Sequence, residues 1–426
     1  MGRLGGMVVF VPGALPGETA RVRIERVRRG FAEARLLDIL VVSAERVTPP
    51  CIHYEACGGC DLQHLSAAGQ LRAKRGQVQA ALRRIGGLAE IEVGETVPSG
   101  AAWGYRFRMD FDWDDDKGPV IGLHHRGHPE RIVPITRCLL AGEVVSDMLP
   151  WLAREAASRR LAAFDRRRQR GFLRRTTIQE GHETRELLVT LDTARGDPPA
   201  LLDLAKAVRR RFPRIVGVVR VEHSRDGHLV GESILEGRDH LFEEIEGDRF
   251  KIPAGAFFQP NASASVPLRR HAVDALRLSG TENVLELYCG VGFFSVVLAR
   301  RSASVTAVEG VRAACAAARE NAAQAGADRC RFLSGDVADE LPALLESAWD
   351  AVLVDPPRGG LASTVVQALA RAAAPRLVYV SCDPATMARD LGVLVGGGIY
   401  RLVRVTPFDL FPHTQHVECV AELERN

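Results

Sequence analysis

The sequence predicts an α/β protein, in which a parallel sheet covered by helices on both faces follows a central α+β region and a small N-terminal β-barrel. Two observations carry this prediction. From residue 262 strand-like runs alternate regularly with helical runs, whereas residues 1 to 47 alternate apolar and polar side chains between turn residues. The 426 residues are enough for two or three domains. We therefore expect three units, at 1–47, 48–255 and 256–426.

In the N-terminal unit the runs VVFVPG, ARVRIERV and FAEARLLDILV predict short antiparallel strands. The double proline of ERVTPPC ends this pattern. A helix is predicted over 67–85, because the apolar residues of AAGQLRAKRGQVQAALRRI have helical spacing and a Gly-Gly pair follows. Strand-like runs then dominate from about 103 to 255, with helical patterns at 143–163 and 199–212.

The C-terminal unit shows the regular alternation. Strands are predicted at NVLELY, SVTAVE, RCRFLSG, DAVLVD and RLVYVS, and helical runs separate them. Strands and helices that alternate at this spacing form a parallel sheet covered on both faces. Two further runs, YRLVRVTPF and QHVECVAEL, are joined by DLFPHT and predict an antiparallel hairpin at one edge. In an open sheet of this kind, ligands bind beyond the carboxyl ends of the strands.

Composition excludes several classes of protein. Hydrophobic residues make up 46% and charged residues 26% of the chain, which is typical of globular domains, and no run approaches the ~18 apolar residues of a membrane helix. No secretory signal opens the sequence, so we expect a cytoplasmic monomer without membrane contact. The net charge of +3 excludes a polycation, yet residues 151–175 hold nine arginines and two acidic residues. This stretch is either a solvated surface or a phosphate-binding patch, with Arg166, Arg167, Arg168 and Arg170 as the candidates.

The nine cysteines are an odd number in a chain without an export signal, which argues against a disulfide framework. Cys51, Cys57 and Cys60 lie within the ten residues CIHYEACGGC, and Cys138 follows far downstream. One short pair and two isolated cysteines fit a structural zinc site less neatly than two matched pairs would. The spacing alone nevertheless leaves an iron–sulfur cluster and zinc equally open.

Three turns after predicted strands carry residues that suit a nucleoside ligand. Gly290 and Gly292 of ELYCGVGFF allow close backbone approach to a ligand at a helix N-terminus, although such glycines also occur for structural reasons alone. Glu309 lies 23 residues beyond Glu286, close to the spacing at which a carboxylate binds ribose hydroxyls. Asp336 could reach an adenine amine, or it could simply cap the next helix.

Two more turns carry a fixed carboxylate and a thiol. The prolines of VDPPRGG restrict the loop after Asp355 and hold this side chain over the sheet edge. Cys382 of SCDPATM precedes a helix that Asp383 is expected to cap and Pro384 to start, and a helix N-terminus favours the thiolate. A lone cysteine after an apolar strand can also be a buried core thiol.

Nearly the whole chain resembles the S-adenosylmethionine-dependent RNA 5-methyluridine methyltransferases, specifically their iron–sulfur branch. The resemblance rests on VPGALPGE, CIHYEACGGC with Cys138, FFQPN, ELYCGVGFFS, VEG, DPPRGG, SCDPATMARDL and HTQHVECVAEL, in this order. It implies a class I (Rossmann-like) methyltransferase domain and an N-terminal TRAM domain, an OB-like RNA-binding barrel. The barrel is expected to be incomplete, because GRLGG leads directly into VVFVPG. The resemblance also implies that the helix near 68–85 packs on the catalytic domain.

The resemblance further implies roles for single residues. Cys382 would add to carbon 6 of uridine, and Glu418 would remove the proton from carbon 5. Strand periodicity alone would make Glu418 a solvent-facing carboxylate. The implied cofactor contacts are Gln259, Tyr288, Gly290, Glu309, Asp336 and Asp355, and the implied ligands of a [4Fe–4S] cluster are Cys51, Cys57, Cys60 and Cys138.

Two other functions stay open on the residues. An exocyclic-amine methyltransferase also uses a polar-Pro-Pro turn, but an aromatic residue usually follows the prolines, where Arg358 stands here, and no thiol is needed. A catalytically inactive RNA-binding protein is disfavoured by the intact Cys382, Glu418 and Glu309. The expected RNA is 23S rRNA, because the iron–sulfur branch commonly acts there, and the T-loop of tRNA is the alternative.

Overall fold

The N-terminal part of the computed structural model, which describes residues 2–115, 118–165, 167–196 and 198–426, is a four-stranded sheet. Its strands are β1 (Gly2–Leu4), β2 (Met7–Phe10), β3 (Thr19–Arg28) and β4 (Phe31–Val41), in the order β1-β2-β4-β3. β2 and β4 run parallel, and the other neighbours are antiparallel. The small side chains Val9, Ala32 and Ala34 form its buried centre. The predicted small barrel is therefore an open sheet within the described residues.

The predicted helix over 67–85 is α1, Ala67–Arg84. It begins where the side chain of Ser66 accepts a hydrogen bond from the backbone N–H of Gly69 (3.1 Å), which satisfies a free donor of the first turn. Arg83 and Arg84 lie in its last turn, where positive charge stabilises the negative end of the helix dipole.

The central part is a seven-stranded mixed sheet accompanied by two helices. Its elements are β5 (Arg108–Asp115), β6 (Pro119–His125), β7 (His128–Pro134), α2 (Glu143–Ser158), β8 (Leu173–Glu180), β9 (Leu187–Ala194), α3 (Pro199–Arg211), β10 (Ile215–His223) and β11 (Leu229–Gly237), with the strand order β11-β10-β9-β8-β5-β6-β7. β9 and β10 are parallel because α3 connects them; the other pairs are antiparallel. The helical pattern over 143–163 ends early, at Ser158, because Arg160 adopts a left-handed φ of 57°.

The arginine-rich stretch 151–175 is divided between structural and exposed side chains. Arg159 pairs with Glu155, and Arg175 pairs with Asp112. Arg174 lies over the ring of Phe164, 3.7 Å from its centroid. Arg167, Arg168 and Arg170 are exposed, and Arg166 lies outside the described residues.

The C-terminal part is the predicted parallel sheet with an antiparallel hairpin at its edge. After the hairpin β12 (His240–Ile245) and β13 (Asp248–Pro253) come α4 (Ala262–Ala275), β14 (Asn283–Leu287), α5 (Ser295–Arg301), β15 (Ser304–Glu309), α6 (Arg312–Gln324), β16 (Cys330–Ser334), α7 (Val337–Leu344), β17 (Ala351–Val354), α8 (Ser363–Ala372), β18 (Arg376–Ser381), α9 (Pro384–Gly396), β19 (Tyr400–Phe408) and β20 (Glu418–Arg425). The strand order is β16-β15-β14-β17-β18-β20-β19. β20 runs antiparallel to both of its neighbours, and the other pairs are parallel.

Helix α1 packs on this sheet rather than on the strands that follow it in sequence. Val78 and Leu82 of α1 belong to the apolar core that also contains Leu391 of α9. The end of α1 approaches α9 closely: a Cβ on Gly86 would stand 2.7 Å from the carbonyl oxygen of Ala388, and one on Gly392 would stand 2.9 Å from that of Gly86. Glycine at both positions permits this contact. Among the helices of the described residues, none is long and apolar enough to cross a membrane.

Candidate active site and cysteine cavity

The carboxyl ends of β14, β15, β17 and β18 meet at one edge of the C-terminal sheet. The turn after β14 is sharply bent, because Tyr288, Gly290 and Gly292 all have positive φ angles, of 65°, 57° and 87°. This conformation is rare for an aromatic residue, and such strain is concentrated at functional sites. The backbone N–H of Gly290 donates to Oε2 of Glu309 (2.8 Å), and that of Val311 donates to its Oε1 (2.7 Å). Glu309 thereby joins the first two turns, and each oxygen keeps a lone pair for a ligand.

Gln259 and Asp355 form a second polar pair at this edge. Nε2 of Gln259 lies 3.5 Å from Oδ2 of Asp355 and donates toward it. Oε1 of Gln259 is buried and has no hydrogen-bond partner among the described residues, so it is an acceptor that a ligand can satisfy. Burial raises the pKa of Asp355 to about 7, and the hydrogen bond from Gln259 opposes this shift.

Asp336 caps α7, as the second of the two interpretations of its sequence position predicts. Its Oδ1 accepts a hydrogen bond from the backbone N–H of Ala338 (2.8 Å). It also lies near Tyr288: burial raises the pKa of Tyr288 to about 12, and the charge of Asp336 adds to that shift.

Cys382 follows β18 and precedes α9, as expected. Asp383 caps α9 by accepting hydrogen bonds from the N–H groups of Ala385 (2.8 Å) and Thr386 (3.1 Å). The expectation that the helix N-terminus favours the thiolate is wrong for the free protein. Burial raises the pKa of Cys382 to about 12, the charge of Glu418 adds to the shift, and Arg358 opposes it. Loss of hydration on burial is the largest cause of this shift.

Glu418 is the first residue of β20 and is 4% exposed, so the interpretation as a solvent-facing carboxylate is wrong. Both faces of β20 are covered: Val420 belongs to one apolar core, and Cys419 belongs to the other. Cys419 pairs with Ser381 in the sheet, which brings Glu418 beside Cys382. Burial raises the pKa of Glu418 well above its ordinary value, Asp355 adds to the shift, and Arg358 opposes it.

Arg358 is a site residue that sequence reasoning did not assign. Its positive charge faces both Cys382 and Glu418, since it lowers the pKa of each. Its carbonyl oxygen accepts a hydrogen bond from the hydroxyl of Thr386 (3.1 Å), which ties the Pro-Pro loop to α9. A cation directly after two prolines is the signal that could have indicated this role.

Cys51, Cys57, Cys60 and Cys138 line one cavity of about 170 Å³ between the loop after the N-terminal sheet and the central sheet. The N–H of Gly59 donates to Sγ of Cys57 (3.3 Å). The guanidinium of Arg126 donates to the carbonyl oxygens of Tyr54 (3.3 Å), Cys57 (3.3 Å) and Cys60 and fixes the loop. Within the described residues, no three His, Cys, Asp or Glu side chains close on a point that could hold a metal ion.

Comparison with known proteins agrees with this architecture. Residues 232–426 match the family described as tRNA (Uracil-5-)-methyltransferase, and residues 1–37 match the TRAM domain. An RNA methyltransferase of Halalkalibacterium halodurans is 32% identical over 99% of this chain and 93% of its own length, and one of Gloeobacter violaceus is 36% identical over 99% and 92%.

A solved structure is similar over almost the full length. The crystal structure of Pyrococcus abyssi tRNA (uracil-54, C5)-methyltransferase in complex with S-adenosyl-L-homocysteine has a TM-score of 0.76 and 29% identity, covering 98% of this chain and 95% of that one. With the class I sheet order and the ligand edge described above, these matches identify the family. The chain belongs to the S-adenosylmethionine-dependent RNA (uracil-5-)-methyltransferases.

Glu286 lies fully buried beneath the glycine turn, where burial raises its pKa from 4.5 to about 8; the Ser295 hydroxyl, which donates to Oε2, opposes the shift. Folding therefore favours the protonated form, and this contribution to stability is lost as pH rises through about 8. Glu286→Gln keeps an acceptor for Ser295 and cannot ionise. Between pH 5 and pH 8.5 we expect the free energy of unfolding of Glu286→Gln to rise relative to that of the wild type. Denaturant titrations at several pH values measure this difference.

Glu282 provides the matched control. Hydrogen bonds centred on Ser279 lower its pKa to about 2, so it stays ionised across the same pH range. Glu282→Gln should differ from the wild type by a constant amount between pH 5 and pH 8.5. A constant offset for Glu286→Gln as well would contradict the buried, protonated state of Glu286.

Proposed function

We propose that the protein transfers a methyl group from S-adenosylmethionine to carbon 5 of a uridine in 23S rRNA, through a covalent bond between Cys382 and carbon 6. The observation that carries the proposal is the grouping of a thiol, a buried carboxyl group and a cation, Cys382, Glu418 and Arg358, beside Asp355 at the ligand edge. Exocyclic-amine methylation has no use for such a thiol. The four cysteines in one cavity favour the rRNA-directed branch.

A uridine in the T-loop of tRNA is the second candidate substrate. The Pyrococcus abyssi protein that matches over 98% of this chain is a tRNA (uracil-54, C5)-methyltransferase. We also propose that the protein acts as a monomer in the cytoplasm, where thiols stay reduced.

For the methyl donor we propose a site along the carboxyl edge of the sheet. Glu309, with lone pairs left after its two backbone hydrogen bonds, suits the ribose hydroxyls, and the free acceptor of Gln259 suits the amino group of the donor. The bent turn would let the donor approach the backbone closely. The full set of proposed contacts is Gln259, Tyr288, Gly290, Glu309, Asp336 and Asp355.

The proposed reaction divides the chemistry between two residues. Carbon 5 of uridine is a poor nucleophile, so the Cys382 thiolate first bonds to carbon 6 and forms an enolate. The electron pair at carbon 5 then bonds to the methyl group, whose bond to the sulfonium breaks, and S-adenosylhomocysteine is released. Glu418 takes the proton from carbon 5, and the resulting electron pair expels the thiolate from carbon 6.

The raised pKa values suit this order of events. At neutral pH the free protein holds Cys382 as a thiol, since burial raises its pKa to about 12. A cationic sulfonium bound near Asp355 favours the anionic forms of the neighbouring acids. We propose that the thiolate forms only after the donor has bound, and that Cys382 and Glu418 then release their protons to solvent. Once ionised, the carboxylate of Glu418 is a strong proton acceptor, because its pKa is raised.

Glu418→Gln should accumulate a covalent protein–RNA complex that carries the transferred methyl group. Replacing the carboxylate by an amide keeps the shape of the side chain and removes its basicity, so addition and methylation proceed and elimination stalls. The measurement is a denaturing gel with a radiolabelled methyl donor and either 23S rRNA or tRNA, and we expect the shifted, labelled band with rRNA.

Cys382→Ala should bind RNA and give no labelled band, because no bond to carbon 6 can form. Cys330→Ala, in a half-buried strand of the same sheet, is the control and should behave as the wild type. A labelled band from Cys382→Ala would exclude the mechanism.

We propose that Cys51, Cys57, Cys60 and Cys138 hold a [4Fe–4S] cluster. In such a cluster each thiolate binds a different iron, so the sulfurs stand farther apart than around one ion. The proposal is supported by the four thiols that line one cavity in the described residues. When bound, the cluster would supply a rigid cross-link between the 51–60 loop and Cys138, since methyl transfer needs no electron.

Protein purified without oxygen should contain about four irons per chain, the content of one cubane cluster. Cys138→Ser should lose the iron as completely as Cys57→Ser, because both are proposed ligands, and Cys330→Ser should keep it. Metal analysis and the visible absorption spectrum measure this. One equivalent of zinc without iron would contradict the cluster.

The exposed residues Arg167, Arg168 and Arg170 are proposed to contact RNA phosphates. Replacing all three by glutamine should weaken RNA binding and lower the salt slope by about 0.7 to 0.9 for each phosphate that is no longer neutralised. Turnover at saturating RNA should change little. Filter binding at several salt concentrations is the measurement, and an unchanged slope would make this segment a solvated surface.

A further inference from the structure

The loop 409–417 joins β19 to β20 and leads directly into Glu418. It is held by side chains of α1, which precede it by 335 to 343 residues. Lys74 of α1 is 1% exposed and forms an ion pair with Asp409 at the start of the loop. Its Nζ also donates to the carbonyl oxygen of Phe411 (2.8 Å). Burial lowers the pKa of Lys74, and Asp409 opposes this shift.

Gln70, one turn earlier in α1, is buried and uses both ends of its amide. Its Oε1 accepts a hydrogen bond from the backbone N–H of His413 (2.8 Å). Its Nε2 donates to the carbonyl oxygens of Leu65 (2.9 Å) and Leu62 (3.1 Å). One side chain therefore ties the middle of the loop to the segment that precedes α1.

Other contacts converge on the same point. The backbone N–H groups of Asp61 and Leu62 both donate to the carbonyl oxygen of His413 (2.9 Å each). Trp103 stacks on the imidazole, with ring centroids 3.7 Å apart. Burial lowers the pKa of His413 to about 4, and the Lys74 cation adds to this shift, so the ring is neutral.

The backbone at His413 depends on these contacts. Its φ of 67° is left-handed, a conformation that costs free energy for residues other than glycine and persists where neighbours over-determine it. Glu418 begins β20, and its sheet partner is Phe408, the last residue of β19. The position of its carboxyl group is therefore set jointly by the pairing of β20 with β18 and β19 and by the path of the loop.

We propose that Gln70 is a positioning residue for Glu418, acting through the loop 409–417, while Lys74 holds the start of the same loop. This inference rests on the proposed role of Glu418 as the base. Gln70 touches no reacting atom, and Cys382 and Asp355 stand on other loops. Loss of Gln70 should slow proton removal from carbon 5 and leave addition and methyl transfer almost intact.

The test compares Gln70→Leu with Gln77→Leu, which replaces an exposed glutamine of the same helix. Single-turnover reactions with a radiolabelled methyl donor and RNA give two rates, the entry of label into the denaturation-resistant complex and the release of labelled RNA from it. For Gln70→Leu we expect release to slow roughly tenfold to a hundredfold, the effect of a misplacement of about 1 Å, with label entry unchanged. Gln77→Leu should match the wild type in both rates.

Asp61→Ala gives an independent measurement, because removing the buried amide of Gln70 can destabilise the fold. Oδ2 of Asp61 accepts a hydrogen bond from the backbone N–H of Gln415 (3.4 Å). The side chain is 37% exposed, and its only ion pair within the described residues is a long one to Arg126 (3.8 Å). We expect an unchanged unfolding temperature and slower release, in the same direction as for Gln70→Leu. Equal slowing of both rates in Asp61→Ala, or wild-type release from it, would overturn the proposal.

Glu418→Gln in the same gel separates this inference from the proposed function. Trapped label with Glu418→Gln and wild-type release from Gln70→Leu and Asp61→Ala would refute the positioning role alone. No trapped label with Glu418→Gln would refute the role of Glu418 as the base, and the inference would fall with it.

Discussion

Burial of acidic side chains at the carboxyl edge of the C-terminal sheet is the constraint on which the site depends. Burial raises the pKa of Glu286 to about 8 and that of Asp355 to about 7, and it raises that of Glu418 well above the ordinary range. The protein supplies each carboxyl group with limited compensation: a hydroxyl for Glu286, an amide for Asp355, and the charge of Arg358 near Glu418. Such an edge favours a positively charged ligand, because the positive charge stabilises the ionised carboxyl groups that the protein itself stabilises only partly.

The antiparallel hairpin adds a carboxyl group, that of Glu418, to the ligand-binding edge of the parallel sheet. The parallel strands place the Cys382 turn and the Asp355 turn side by side, as in any open sheet of this kind. β20 then returns beside β18 in the opposite direction, so that its first residue, Glu418, lies at the same edge where the parallel strands end. A thiol and a carboxyl group from separate turns are thereby fixed relative to each other by backbone hydrogen bonds.

Elements with a local signal can be predicted from the sequence, whereas features that join distant segments cannot. The predicted strands SVTAVE, RLVYVS and YRLVRVTPF coincide with β15, β18 and β19. Periodicity places Glu418 on a polar face, and no local pattern records the two apolar cores that cover β20. No local pattern records the burial that raises the pKa of the Cys382 thiol either. Gln70 and Lys74 support a loop that lies 335 to 343 residues away.

The contacts of α1 limit which segments of this protein can be exchanged by recombination during evolution. The match to the uracil-5-methyltransferase family model covers residues 232–426, yet the side chains that hold the loop before Glu418 come from residues 61 to 105. A recombination event that joined residues 232–426 to a different RNA-binding module would keep Cys382 and Glu418 but lose the side chains that hold the loop before Glu418. The segment that must be inherited together is therefore longer than the part of the chain that matches the family model. Gly86 and Gly392 lie where α1 meets α9, and their lack of a side chain permits the close contact between the two parts.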